Sequence, residues 1–157
     1  MEKRIEPIER VVPHRGTLLL IDRVLDWDAE SILVELRVPD ESIFHDAEGV
    51  PGWVGLEYMA QAIAAWAGCK ARAGGGAPTI GFLLGTRRYE CARTHFRSGS
   101  LLQVEARCEL LGDNGLGMFA CRIVEGGETL ATANVSVFEP GDAAAYLETG
   151  TMGNTQT

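Results

Sequence analysis

Between residues 53 and about 72 the apolar side chains Trp53, Leu56, Ala60, Ile63 and Ala67 recur every three to four positions, and alanine fills most of the gaps. That period predicts one long helix, apolar nearly all round, which the rest of the fold has to enclose. Its alanines let a surrounding sheet come close to the helix backbone. The run is shorter than the roughly 20 apolar residues that cross a bilayer, and Glu57 and Gln61 interrupt it, so no membrane span is expected. Glycine and proline both oppose helix continuation, and the segment Ala73-Gly74-Gly75-Gly76-Ala77-Pro78 ends the run.

Around this helix the pattern is that of strands. Residues 7–12 read as a short amphipathic turn stopped by Pro13. Residues 17–25 and 31–38 are β-rich and predict an antiparallel pair joined through Asp26-Trp27-Asp28. After the helix come four more strand-like runs, 79–89, 101–111, 116–124 and 129–138. Asp113-Asn114-Gly115 and Glu125-Gly126-Gly127 supply hairpin turn chemistry between the later runs, which predicts a meander. The sum is an α+β domain in which a curved antiparallel sheet wraps a long central helix. Residues 1–140 form that domain, and 141–157 are a polar tail expected to be loose. Open sheets leave edge strands that need cover, so a homodimer is the default assembly.

The net charge of -8 argues against nucleic acid as a partner, because phosphate binding needs a clustered basic surface. The one dense cluster of cations is Arg87, Arg88, Arg93 and Arg97, the only candidate for docking an acidic partner. Cys69, Cys91, Cys108 and Cys121 are spread without a CxxC or a neighbouring histidine, which reads as free, largely buried thiols and gives no metal site. The charged start MEKRIEPIER lacks the apolar core of a signal peptide, so a cytoplasmic location is expected.

Glu57 is the only side chain between Trp53 and Cys69 that carries a charge at neutral pH as a free residue. A carboxylate in an apolar helix is costly to bury ionised, so Glu57 has a partner, faces a cavity, or uses the helix start, where the macrodipole favours acids, to reach solvent. His45 lies on the irregular stretch before the helix. A loop imidazole and a carboxyl at a helix start, beside a Pro-Gly turn with free N–H groups, make an acid/base couple suited to enolate chemistry. Ser98 and Ser100 lack a GxSxG setting, so a serine hydrolase is unsupported.

The run Val50-Pro51-Gly52-Trp53-Val54-Gly55-Leu56-Glu57-Tyr58-Met59-Ala60-Gln61 resembles the opening of the central helix in the 3-hydroxyacyl-(acyl carrier protein) dehydratases of fatty acid synthesis. Upstream, Pro13-His14-Arg15-Gly16-Thr17-Leu18-Leu19-Leu20-Ile21-Asp22-Arg23-Val24 is similar to that family's Pro-His-Arg, Leu-Leu, Asp-Arg-Val stretch. Gly81-Phe82-Leu83-Leu84-Gly85 and Phe96-Arg97-Ser98-Gly99-Ser100 resemble its third strand and the loop after it. The likeness runs over about residues 5–138 and is nearest to the dehydratase-like members of aryl polyene gene clusters, whose helix also starts Pro-Gly-Trp.

The resemblance implies a single hotdog domain with His45 as catalytic histidine and Glu57 as catalytic acid. It further implies a substrate carbonyl on the Gly52 N–H, with Trp53 and Gln61 beside it. It implies that histidine and acid meet from two subunits, and that His14 packs structurally; His95, by its basic segment, reads as surface. The family's usual His-Phe-Pro-Gly loop is here His45-Asp46-Ala47-Glu48, and the path to Pro51 is two residues shorter. The implied reaction is dehydration of a 3-hydroxyacyl thioester to a trans-2-enoyl thioester. It needs no cofactor beyond the phosphopantetheine of an acyl carrier protein or coenzyme A substrate. Two other readings stay open: a hotdog acyl thioesterase, and a non-catalytic subunit that supports an active partner in a heterodimer.

Overall fold

In the computed structural model, which describes residues 6–75 and 82–138, a six-stranded antiparallel sheet packs against one long helix. The strands are β1 (Arg23–Trp27), β2 (Ser31–Arg37), β4 (Phe82–Cys91), β6 (Leu101–Leu111), β7 (Leu116–Glu125) and β8 (Glu128–Phe138), in the order β1-β2-β6-β7-β8-β4. A second, two-stranded sheet joins β3 (Val50–Pro51) to β5 (His95–Phe96). The helix begins as a 3₁₀ turn, Gly52–Val54, and continues as α1, Gly55–Ala73. No helix among the described residues is long and apolar enough to cross a membrane. The tail 141–157, residues 76–78 of the linker and residues 79–81 of the first later run lie outside the described residues.

Strand alternation builds the core. On β2 and β6 every second residue is buried, which places Ile32, Val34, Leu36, Leu102, Val104 and Ala106 on the face toward α1. Phe119, Cys121 and Ile123 continue that face on β7. Trp66 of α1 meets Phe119 edge to face at 5.4 Å and donates its indole N–H to the Asp28 carbonyl at 3.0 Å. Gly126 and Gly127 close the β7–β8 hairpin with φ of 56° and 86°, the left-handed pair that a tight primed turn requires.

The structure departs from the sequence expectation in three places. The segment 17–25 is not one strand: Gly16–Leu18 winds into a 3₁₀ turn and β1 starts only at Arg23, because side-chain bonds from α1 occupy the backbone at Leu18 and Leu20. The four later runs do not form one meander. β6, β7 and β8 do, but β2 pairs with β6, and β4 crosses to the far edge beside β8. Finally, α1 is not enclosed all round. Its core face is Tyr58, Met59, Ala62, Ala65, Trp66 and Cys69, whereas Leu56, Glu57, Ala60, Ala64 and Ala67 are half-buried and Trp53 is 64% exposed. Of the apolar series that signals the helix, Trp53, Leu56, Ala60 and Ala67 therefore lie on its open face and only Ile63 is buried.

Two of the four cysteines, Cys69 and Cys121, are buried; Cys91 and Cys108 are half-buried, and all four are free thiols. Burial pushes the Cys121 thiol up to about 12, which leaves it inert.

Candidate active site

Four segments converge at the start of α1: the loop from Pro13 to Leu20, the His45 loop, β3 with the helix start, and β5. The first is pinned at both ends. Arg15 donates to the carbonyls of Glu9, Val12 and His14 at 2.6, 2.6 and 2.7 Å, gathering three backbone acceptors on one guanidinium. From the helix, the Gln61 amide oxygen accepts the Leu20 N–H at 2.8 Å, and its nitrogen donates to the Leu18 carbonyl at 2.7 Å. Gln61 is fully buried. Its amide is engaged with the backbone of the Pro13–Leu20 loop, whereas the sequence reading placed it beside a substrate.

The same Gln61 nitrogen donates to Glu57 Oε1 at 3.2 Å. Because the two backbone partners fix which end of the amide is nitrogen, Glu57 Oε1 is held as an acceptor, and any proton on the carboxyl belongs on Oε2. The Glu57 side chain is 40% exposed on the open face of α1, with His14 Nε2 3.8 Å from Oε1. So Glu57 is neither sunk in apolar surroundings nor free: it has a buried amide on one side and an imidazole on the other. His14, read from sequence as packing, is the histidine nearest to Glu57 in the chain. Burial, acting first, lowers the proton affinity of His14; the Glu57 charge works against that and Arg15 adds to it.

Removing the Gln61 amide tests this part of the site. In Gln61→Leu the Leu20 N–H and Leu18 carbonyl lose their partners, each at about 1–3 kcal/mol, so urea unfolding should show a loss of about 2–4 kcal/mol. A loss under about 1 kcal/mol would mean that water replaces the amide.

Among the described residues no hydrogen bond or ion pair joins His45 to Glu57. Its Nε2 meets Ser98 Oγ at 2.5 Å. The loop after it closes immediately: Asp46 and Gly49 form an antiparallel bridge, and the Asp46 side chain accepts the Glu48 N–H at 2.8 Å. His95 clamps this hairpin from β5, with Nε2 2.8 Å from Asp46 Oδ2 and Nδ1 3.2 Å from Glu48 Oε2. The His95 side chain is only 18% exposed, so it is not the surface residue read from its sequence setting. The Glu48 N–H, and after it the His95 contact, hold the Asp46 carboxyl below the usual range. No local signal marks His95, because its partners lie on a loop far away in sequence.

The Gly52 N–H is not available to a substrate carbonyl. It donates to the Thr94 carbonyl at 2.8 Å, since the pairing of β3 with β5 runs on by one residue. The Gly52 carbonyl accepts the Tyr89 hydroxyl at 2.5 Å. Burial, with Cys91 behind it, raises the Tyr89 phenol and keeps it a donor. The next N–H along, that of Trp53, opens the helix, where the first amides have no acceptor inside the helix. The Trp53 ring packs edge to face on Phe44 at 5.9 Å, and Phe44 is the neighbour of His45.

A cavity of about 220 Å³ is walled by Leu19, Leu20, Phe44, Val54 and Tyr58 together with Asp22, Arg37 and Glu41, and by neither His45 nor Glu57. The four arginines do not form one patch. Arg88 lines a groove on the sheet with Glu90, Glu105, Arg107 and Arg122, in the strand irregularity between Arg87 and Glu90. Arg93 and Arg97 line a different cavity with His95 and Glu48, and Arg93 pairs with Glu125 and Glu128 at 3.3 and 3.5 Å. No cluster of His, Cys, Asp and Glu among the described residues could hold a metal ion.

Comparison with known proteins places this geometry. The family described as ApeP-like, ApeP dehydratase, matches residues 6–148. The structure of the dehydratase heterocomplex ApeI:P from Xenorhabdus doucetiae superposes with a TM-score of 0.84 at 27% identity, covering 94% of this chain and 100% of that one. A hypothetical thioesterase with coenzyme A from Streptococcus pneumoniae TIGR4 gives a TM-score of 0.60 at 12% identity over 76% of this chain and 86% of that one. The E. coli PaaI protein of the phenylacetic acid degradation operon gives 0.57 at 16% identity over 73% and 80%. The last two speak for the fold alone, one helix on a large antiparallel sheet, the hotdog arrangement. No curated protein matches the chain.

Proposed function

The chain belongs to the ApeP-like family of hotdog-fold dehydratases, and from that membership and the site we propose that it removes water from a 3-hydroxyacyl thioester carried on phosphopantetheine. The observation that carries this reading is Glu57: a carboxyl on the open face of an otherwise apolar helix, with one oxygen fixed as acceptor and the other left to hold a proton. In the proposed elimination His45 takes the C2 proton, charge develops on the thioester oxygen, and the C3 hydroxyl leaves with the Glu57 proton as water. The developing oxyanion needs a preorganised donor, worth about 3–4 kcal/mol. With the Gly52 amide engaged by Thr94, that donor is the Trp53 N–H at the positive end of the helix.

His45 and Glu57 do not meet within one chain, and Trp53, Leu56, Ala60 and Ala67 leave a face of α1 open beside Glu57. We therefore place a second hotdog subunit against that face, its loop bringing the histidine that the acid requires. The ApeI:P structure is itself a heterocomplex, which supports a partner of the same fold. The test is chemical. Mixed with an enoyl thioester such as crotonyl coenzyme A, the assembled protein should form the 3-hydroxyacyl thioester without releasing thiol. Stoichiometric free thiol would make it a thioesterase, and absence of any reaction in the homo- and hetero-assembled protein would leave it a structural subunit.

A further inference from the structure

Glu57 works as an acid only if it holds a proton when substrate arrives, so what faces its carboxyl decides the chemistry; this rests on the acid role proposed above. From the helix, Gln61 reaches Oε1; from the opposite loop, His14 Nε2 stands 3.8 Å away. A cationic imidazole there would hold Glu57 as a carboxylate, while a neutral one leaves it free to be protonated. We propose that His14 is a positioning residue for Glu57, a neutral imidazole built into the loop to keep the carboxyl able to carry a proton.

Three observations support the neutral form. His14 Nδ1 is buried with no hydrogen-bond partner, and in an imidazolium both nitrogens are donors, so charging the ring would strand an N–H out of reach of water. The loop cannot easily swing to relieve this, because Arg15 ties the carbonyls of Glu9, Val12 and His14 while Gln61 ties Leu18 and Leu20. The charged groups acting on the ring are Glu57 from α1 and Arg15 from its own loop, and Arg15, together with burial, disfavours the cation.

Histidine side-chain NMR of the full chain, titrated with pH in wild type and in Glu57→Gln, reads the coupling directly. The His14 signal should titrate below the ordinary histidine range in wild type and lower still in the variant, because the Glu57 charge is what holds it up. An identical midpoint in both proteins would overturn the pairing. In the assembled enzyme, His14→Gln should keep kcat within about tenfold, whereas His14→Lys, a permanent cation, should lose on the order of 10²-fold in kcat with little change in KM. Equal losses in the two variants would reduce His14 to packing. The two assignments fail separately: an unmoved titration removes the His14 role whatever the activity, and full activity in Glu57→Gln removes the acid role itself.

Discussion

Replacing His45 with alanine is expected to lower enoyl-thioester hydration by roughly 10²–10⁴-fold, the range for loss of a positioned general base, while leaving the unfolding midpoint nearly unchanged. The fold does not depend on this ring. Its side-chain bond is the one to Ser98 at the surface, and the loop around it is held by others: the Asp46–Gly49 bridge and the His95 contacts to Asp46 and Glu48. A surface hydrogen bond contributes about 0.5–1.5 kcal/mol, so activity and stability should separate cleanly. Steady-state hydration kinetics beside a thermal melt checks both. Retained activity would remove His45 from the chemistry, and a collapse of the melt would mean that the ring is structural.

The largest stability effect is expected from Gly68→Ala. In the middle of a helix alanine is intrinsically better than glycine by about 1 kcal/mol, so propensity alone predicts stabilisation. Packing predicts the reverse. A methyl group at residue 68 would sit on the backbone of Val11, with Val11 C and Cα at 2.6 and 2.7 Å and the carbonyl oxygen nearer still. Val11 and Val12 are fully buried, and Arg15 ties the Val12 carbonyl, so the turn under the helix cannot back away cheaply. Overpacking costs about 1–3 kcal/mol where side chains can shift and more where backbone must, so a loss of about 3 kcal/mol or more is expected in denaturant unfolding. A stabilised variant would show that the 3₁₀ turn at Ile8–Arg10 is not fastened to α1.

The contrast between those two positions explains what could be read from the sequence. Helix α1 and the strands β2, β6, β7 and β8 follow from their periods, because a face that packs on a core imposes its spacing on the residues of that one element. Which strand lies beside which does not follow: β4 reaches β8 by a tertiary choice that no local pattern encodes, and β3 and β5, at two residues each, are too short to show a period. Within the site, Glu57 is visible because a charge in an apolar run is anomalous. Of its surroundings, Gln61 follows from helical spacing, one turn on in the same helix, whereas His14 belongs to a distant segment that only the fold brings to it. The engagement of the Gly52 N–H by Thr94 is hidden for the same reason, as is the clamp of His95 on the Asp46 hairpin. The series Trp53, Leu56, Ala60, Ile63 and Ala67 locates the helix but not which side of it is covered: Ile63 is buried and the other four are not, because apolar residues suit an open stripe as well as a core.

The central claim is that a loop imidazole and a helix carboxyl act on one substrate as a single unit, and a double-variant cycle measures that directly. His45→Ala, Glu57→Gln and the combination are compared in kcat/KM for enoyl-thioester hydration by the assembled protein. Groups that act together are strongly non-additive, so the double variant should be about as slow as the slower single one. Losses that simply multiply, or a Glu57→Gln protein as fast as wild type, would contradict the pairing.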